Sequence, residues 1–552
     1  MNKNLPKEES LVVEFKSDVK KYPDSAIFEA VVAFANTAGG DLYLGIEDDG
    51  TITGVHGQHK DIQTLEAYIA NNTVPPIYIG ATIIESTLPV LRITVPKYSD
   101  GIVATVAGKV LRRRIKEDGK PENIPMYPSE MTTRLSDLRL KDYSAALVTK
   151  ANQADLDMLE LARLRNALTT YDGDKYLLDL NDNELLTALE FARYDGEILV
   201  PTVAGILFLG KVSALKKYVP TYSVSVQVLT GTDVKVNEDF VLPILAAIEK
   251  VNAYLEVWNS SHDIELGMFR LSVPDFDKRA VREAVVNAFS HRDYSKMGRI
   301  RVAINDEGLT IANPGGFIEG ITIDNLINAE PHGRNPLITD ALKRLGLAER
   351  SGRGIDRIFE GSLRFGKLPP DYSLSTAVLV SLFIPRSVPD MQIAKLVVEE
   401  QRKLGKPLSL NMLLVLNELR DIPKSKITQI AEAVHLNKTI VQVIINEAVS
   451  RGFIEAYGTG SGRNYMLARA FFNDKEEQMA YSRQADINKL RYKELVVQYA
   501  KGTEYITRAD IETLLHITKS QAYNLVKQLV KADLIELINS GHHAKYKIKI
   551  KK

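Results

Sequence analysis

An internal repeat near the end of the chain constrains its folding more than any other feature. "LNKTIVQVIINEAVSRGFIEAYGTGSGRNYML" and "ITKSQAYNLVKQLVKADLIELINSGHHAKYKI" superpose without a gap from Asn437 and Thr518 onward, with Lys438 opposite Lys519, Ile454 opposite Ile535 and Tyr465 opposite Tyr546. A short helical pattern precedes each copy, "ITQIAEAVH" or "ITRADIETLLH", and a glycine-bearing hairpin closes it. The chain must therefore build a helix, a turn, a longer helix and a hairpin twice over.

That element order is the order of a winged helix-turn-helix, in which the second helix enters the major groove and the wing meets the backbone or minor groove. The groove-facing starts carry Asn437, Lys438, Thr439 and Gln442 in one copy and Thr518, Lys519, Ser520 and Gln521 in the other. Arg463 and Asn464 sit in the first wing, and His542, His543 and Lys545 in the second. In "KYKIKIKK", Lys545, Lys547, Lys549 and Lys551 share one strand face, placed to neutralise phosphates. Duplex DNA is the expected partner. Such modules also serve as protein adaptors, and edge lysines also block strand pairing.

With 552 residues the chain exceeds one core and divides into roughly three to five domains. The expected boundaries are 1–130, 131–259 as a mixed α/β connector, 260–388, then winged helices at 404–470 and 488–552, with Met391 to Lys403 a linker. Apolar residues make up 45% and charged ones 25%, which sets disorder aside. No apolar run is long enough for a membrane span and no signal peptide opens the chain, so a cytoplasmic protein is expected. Having no cysteine, it can form neither disulfides nor thiolate zinc sites. Seventy basic against seventy acidic residues make any nucleic-acid surface a local one.

"REAVVNAFSHRDYS" reads as a helix with one wet stripe. Glu283, Asn287, Ser290 and His291 fall on one face, with Val281, Val285, Ala288 and Phe289 on the other. A carboxylate and a carboxamide one turn apart can address one water and one hard cation together, Glu283 as base and Asn287 as ligand to a Mg²⁺ that also holds phosphates. Two glycine clusters follow. "ANPGG" closes a strand with Asn313, Gly315 and Gly316, and "SGRG" places Gly352 and Gly354 before a helix whose first N–H groups can cradle phosphate. Two other motifs mislead. "GILFLGKV" has Val212 where a P-loop needs a hydroxyl, and reads as a core strand. "HRD" at 291–293 lacks the asparagine and DFG of a kinase.

In this order, these elements resemble the divergent ATP-binding family of gyrase, MutL and histidine kinases (GHKL). "REAVVNAFSHRDY" and "GRNPLITDALKRLGLAERSGRGIDRI" resemble its RecG-like C-terminal branch more closely, over about 260–360. The resemblance implies ATP and Mg²⁺ as cofactors, Glu283 as base, Asn287 as metal ligand and Gly352 and Gly354 as phosphate-loop residues. Asn313 stands where the family places an aspartate for adenine, so binding is expected above fast hydrolysis.

"ESLVVEFK" and "AFANTAGGDLYLGIEDDG" hold an acidic set, Glu9, Glu14, Glu47 and Asp48, with Lys16 nearby. They resemble the Schlafen-type Alba-like domain. In its nuclease members three carboxylates bind divalent metal, which by motif implies Glu9, Glu14 and Asp48 here, with Lys16 on the scissile phosphate; other members bind nucleic acid without cutting. "LRRRIK", Arg112 to Lys116, is a candidate phosphate strip or a solvated edge.

The expected fold class is a multidomain α/β and α+β chain: an Alba-like α/β domain, a GHKL-like α/β sandwich and two C-terminal winged helices. The expected function is an ATP-responsive DNA-binding transcriptional regulator acting as a homo-oligomer. The alternatives are a Schlafen-like metal-dependent nuclease on RNA or DNA gated by the ATP domain, perhaps in defence, and a non-enzymatic DNA scaffold.

Overall fold

The computed structural model describes residues 5–138, 140–266, 269–330, 333–349, 352–421, 424–457, 463–468, 471, 492–515, 519–539 and 544–549. In its N-terminal part, β1 (Val13–Lys16) leads to α1 (Asp24–Ala35), β2 (Gly40–Leu44) and α2 (Ile62–Asn71). The chain continues through β3 (Thr73–Val74), β4 (Gly80–Ile84), β5 (Val90–Val95), β6 (Ala104–Thr105), β7 (Leu111–Ile115), β8 (Pro121–Pro125) and α3 (Pro128–Asp137). Strands run in the order β1-β2-β5-β4, with β1 parallel to β2 and the other pairs antiparallel. α1 buries eight of its twelve residues because it lies between this sheet and the β7–β8 hairpin. It ends at Ala35 with Asn36 as its cap, and Gly39 and Gly40 turn the chain into β2; a Cβ on Gly40, at φ 147°, would lie 2.4 Å from the Val12 carbonyl.

The centre is one body. It comprises α4 (Met158–Thr170), α5 (Asp182–Ala188), β9 (Ala192–Asp195), β10 (Ile198–Pro201), α6 (Val203–Leu209), α7 (Val212–Tyr218), β11 (Tyr222–Thr230), β12 (Asp233–Phe240) and α8 (Ile244–Trp258). It also takes in β13 (Ser261–Leu266), β14 (Phe269–Pro274), α9 (Lys278–His291), β15 (Gly298–Ile304), β16 (Gly308–Pro314), α10 (Pro336–Arg344), α11 (Gly354–Leu363) and β17 (Leu379–Pro385). A five-stranded sheet in the order β12-β11-β15-β16-β17 draws strands from both sides of residue 260, and one apolar core runs from Ala151 to Ile384. The break expected at 259/260 is therefore no break in the core. β11 and β15 pair in parallel, which needs a long crossover. α8 and α9 lie within that crossover.

"VAGILFLG", expected as a core strand, is helix α6. Thr202 caps it through Gly205 N–H, and all seven residues are buried. A continuous apolar run carries no period, so a helix buried on every side reads like a buried strand. Gly205 is required by packing, since a Cβ there would lie 1.9 Å from the Phe191 carbonyl oxygen.

Past Pro385, the expected linker is α12 (Met391–Leu404), capped by Asp390. Its apolar face joins the core of α13 (Leu410–Asp421), α14 (Ile427–Ala433), α15 (Lys438–Ser450) and the hairpin β18 (Ile454–Tyr457) and β19 (Asn464–Leu467). The second copy repeats the plan with α16 (Tyr492–Lys501), β20 (Ile506–Thr507), α17 (Arg508–Leu515), α18 (Lys519–Lys531), β21 (Ile535–Asn539) and β22 (Lys545–Ile548), around a second core that also takes in Met466 of β19. Among the described residues no helix is long and apolar enough to cross a membrane.

Candidate functional site

A cavity of about 510 Å³ opens between α9, β16, β17, α10 and the start of α11. Asp277 caps α9 by accepting from Arg279 and Ala280 N–H, and the helix then presents Glu283, Asn287 and His291 to the cavity at four-residue spacing. β16 contributes Ile311 and Asn313, the turn after it Gly316 and Phe317, and the approach to α11 Gly352 and Gly354. Apolar walls come from Tyr372, Val380 and Leu382. Gly315 is not in the lining: it leaves room for Arg334, whose Nη1 would lie 2.1 Å from a Cβ there.

Burial pushes the Glu283 carboxyl above the usual range and Glu349 adds to this, while Arg357, Arg282 and a hydrogen bond from Asn287 oppose it. The carboxylate rests against α11: a Cβ on Gly354 would lie 2.2 Å from Oε1. Gly352 takes φ 77°, and Arg353 supplies no side-chain cap, so the first N–H groups of α11 have no side-chain acceptor at the cap position. Asn313 is 4% exposed, and among the described residues Nδ2 reaches only the Pro314 carbonyl, at 3.5 Å. Glu330, Asp340 and Glu349 share the lining with Lys343, and Glu349 pairs with Arg357.

In the N-terminal part, Glu9 accepts from Phe15 N–H at 2.9 Å and lies 3.6 Å from Lys16 Nζ. Lys16 is also 3.2 Å from Glu14, which is buried against Arg113 and Asn123. Glu9, Glu14 and Lys16 thus come together. Asp48 does not join them; it sits on the exposed turn after β2, and Glu47 accepts from Thr53. Among the described residues no group of three or more His, Cys, Asp or Glu is arranged to hold a metal ion.

Residues 9–120 match the family model described as Schlafen, AlbA_2, and residues 298–382 the model described as putative ATP-dependent DNA helicase recG C-terminal. The chain carries an AlbA_2 domain and an ATPase-like domain of the RecG C-terminal type. Residues 133–225 match a domain of unknown function, DUF8451. Among solved structures, the DIP2311 protein from Corynebacterium diphtheriae is 22% identical, with 84% of this chain and 92% of that chain covered at a TM-score of 0.49. The search of curated proteins finds no match.

The RecG-type match spans Asn313, Gly316, Gly352 and Gly354 and stops short of α9, so Glu283 and Asn287 enter the site through the fold. "HRD" has a structural job there. Arg292 is fully buried, donates to the Asp293 and Gly298 carbonyls at 2.8 Å, and lies 4.9 Å from the Tyr294 ring centre. Asn335 donates to the Ser290 and Arg292 carbonyls at the end of α9.

Sequence reasoning passed over Arg334. It is buried and bonds Asp137 at 2.7 Å, the His291 carbonyl at 3.1 Å and the Gly316 carbonyl at 2.9 Å, joining α3 to the cavity rim. Glu319, three residues past Gly316, pairs with Lys97 and Arg134. The only signal was "GRNP", polar residues between two chain breakers. Arg113 was read as part of an exposed strip, yet it is buried on Glu14 and 4.2 Å from the Phe34 ring centre; its neighbours Arg112 and Arg114 pair with Glu130 and Glu122. The phosphate strip expected at 112–116 is mostly spent on the AlbA_2 fold.

At the C-terminal end, Asn437 is the cap of α15, accepting from Thr439 N–H at 2.8 Å. Lys438 and Thr439 are exposed on its first turn, and Gln442 donates to Asn446 at 3.0 Å. Arg463 is exposed, 5.6 Å from the Tyr465 ring centre. Lys519, Ser520 and Gln521 open α18, while Ser351, Thr518, His542, His543 and Lys551 lie outside the described residues. The terminal lysine face is partly compensated: Lys547 pairs with Glu536, Lys549 with Asp533, and Lys545 lies on the Tyr505 ring.

Proposed function

We propose that this chain is a DNA-binding regulator whose conformation answers to ATP. The observation that carries the reading is the course of α11. Its first residue, Gly354, lines the cavity, and its last, Leu363, belongs to the core of the first C-terminal module, where Asn417 on α13 donates to the Leu363 carbonyl at 3.2 Å. A helix with one end in a ligand site and the other in a second core is a physical link through which occupancy of the first would bias the second.

The residues fit a magnesium nucleotide. Asn313 is a buried carboxamide with one marginal contact, Gly352 takes φ 77°, and the first turn of α11, which starts at Gly354, has no side-chain cap from Arg353. Asn287 would hold the metal, whose charge would offset that of the phosphates among the cavity's carboxylates. Glu283, whose pKa burial raises, would take a proton from water in this reading. Arg334 and Glu319 tie the glycine turn to α3 and the AlbA_2 domain. Lys438, Thr439, Gln442 and Arg463 would face duplex DNA, and a homodimer would present two such faces to paired half-sites.

The nuclease reading draws less support. Glu9 and Glu14 already share Lys16, Arg113 compensates Glu14, and Asp48 stands apart. The test is anisotropy of labelled duplex DNA with the full chain, with and without Mg²⁺ and ATP. A shift in affinity of about 5- to 150-fold is expected. Saturable ATP binding with unchanged DNA affinity would refute the coupling, and duplex cleavage abolished by Glu14→Ala would favour the nuclease.

A further inference from the structure

α15 buries Val441, Ile444, Ile445 and Ala448. At 100° per residue, Thr439, Val443, Asn446 and Ser450 form the opposite stripe, with Gln442 on one flank and Ile440 and Glu447 on the other, the latter paired with Arg451. Val443 is 63% exposed and Ile440 43%, apolar groups standing among polar ones. No arginine lies on this stripe, and the oxygen of Asn437 is committed to its own helix.

The two carboxamides form a unit. Gln442 Nε2 donates to Asn446 Oδ1, so Gln442 Oε1 and Asn446 Nδ2 are left to face outward, one acceptor beside one donor. Exchanging N and O in both amides leaves the same outward pair. In the major groove adenine offers one acceptor, N7, and one donor, N6–H; guanine offers two acceptors, and only thymine carries a methyl group.

We infer that this stripe reads adenine–thymine pairs, Gln442 and Asn446 on the adenine edge and Val443, flanked by Ile440, on the thymine methyl. The inference rests on the duplex-binding reading and adds which bases are chosen. The second copy supplies the charge that this stripe lacks beyond Lys438: by the repeat alignment Lys527 and Lys531 replace Asn446 and Ser450, and both are exposed on α18. α15 thus selects bases while α18 contacts phosphate.

The experiment measures binding of the full chain to duplexes of equal length at fixed salt. Four kinds are compared: A·T-rich, G·C-rich, uracil in place of thymine, which removes the methyl, and 7-deazaadenine, which removes N7. Wild type should prefer A·T over G·C by at least about fivefold and lose affinity with either analogue. Val443→Ala should lose less affinity than wild type on uracil substitution, and Asn446→Ala should become indifferent to 7-deazaadenine. Lys527→Ala should weaken every duplex alike and lower the salt dependence. Duplex binding that ignores both analogues, or favours G·C, overturns the assignment while leaving DNA binding intact. Absence of duplex binding under every condition overturns the broader reading and this one with it.

Discussion

Replacing Gly354 by alanine should weaken the central domain, contrary to helix propensity. In the first turn of a helix alanine is ordinarily favoured over glycine by about 0.5–1 kcal/mol. Here the new Cβ would lie 2.2 Å from Glu283 Oε1 and 3.0 Å from Cδ, far inside contact distance, so the carboxylate has to move. Overpacking of this kind costs about 1–3 kcal/mol, and the bond to Asn287, worth about 1 kcal/mol, is lost as well. The expected net loss is about 1–3 kcal/mol. In a Glu283→Ala background the obstacle is gone and Gly354→Ala should stabilise by its ordinary ~0.5–1 kcal/mol. The chain's single tryptophan is Trp258, in α8 of this domain, so urea unfolding followed by its fluorescence reports the right core. A coupling energy below about 0.5 kcal/mol would refute the packing of Glu283 against α11.

Three further outcomes follow from the geometry. Nucleotide affinity, measured by calorimetry, should fall at least about tenfold when Mg²⁺ is chelated, because Glu283, Glu330, Asp340 and Glu349 line the cavity; equal affinity in EDTA would contradict the metal role of Asn287. Arg113→Met should cost the AlbA_2 domain about 3 kcal/mol by leaving Glu14 buried without its guanidinium, and Arg113→Met with Glu14→Leu should recover most of it in denaturant melts. Burial alone would lower the pKa of His59, but the hydrogen bonds and charges of Asp18 and Asp24 outweigh it and raise the pKa above the ordinary 6.5. The stabilisation is complete below that value and is lost as pH rises through the raised pKa. For Asp18, burial is outweighed by its bonds to His59, Tyr22 and His56, and the lowered pKa gives stabilisation present above 3.8 and lost as pH falls through it. A melting temperature that declines on the alkaline side in wild type should be flat there in His59→Asn.

What the sequence alone determined was local. The wet stripe of α9, the two glycine stops and the doubled helix–hairpin unit are patterns within about 35 residues, and each was legible because helical period, turn chemistry and repetition need no distant partner. What tertiary structure decided lay across long separations. Whether "VAGILFLG" was helix or strand depended on the core around it, since an apolar run buried on all sides has no face to reveal its period. Arg113 meets Glu14 across 99 residues, and Arg334 meets Asp137 across 197, so two arginines that sequence reading assigned to solvent or passed over became buried ties. The lysines of β22 looked like a free cationic face until β21 and the end of α18 brought Glu536 and Asp533 beside them. Charge pairing and burial depend on which segments the fold brings together, and in this chain those segments come from separate sheets, from neighbouring strands or from different domains.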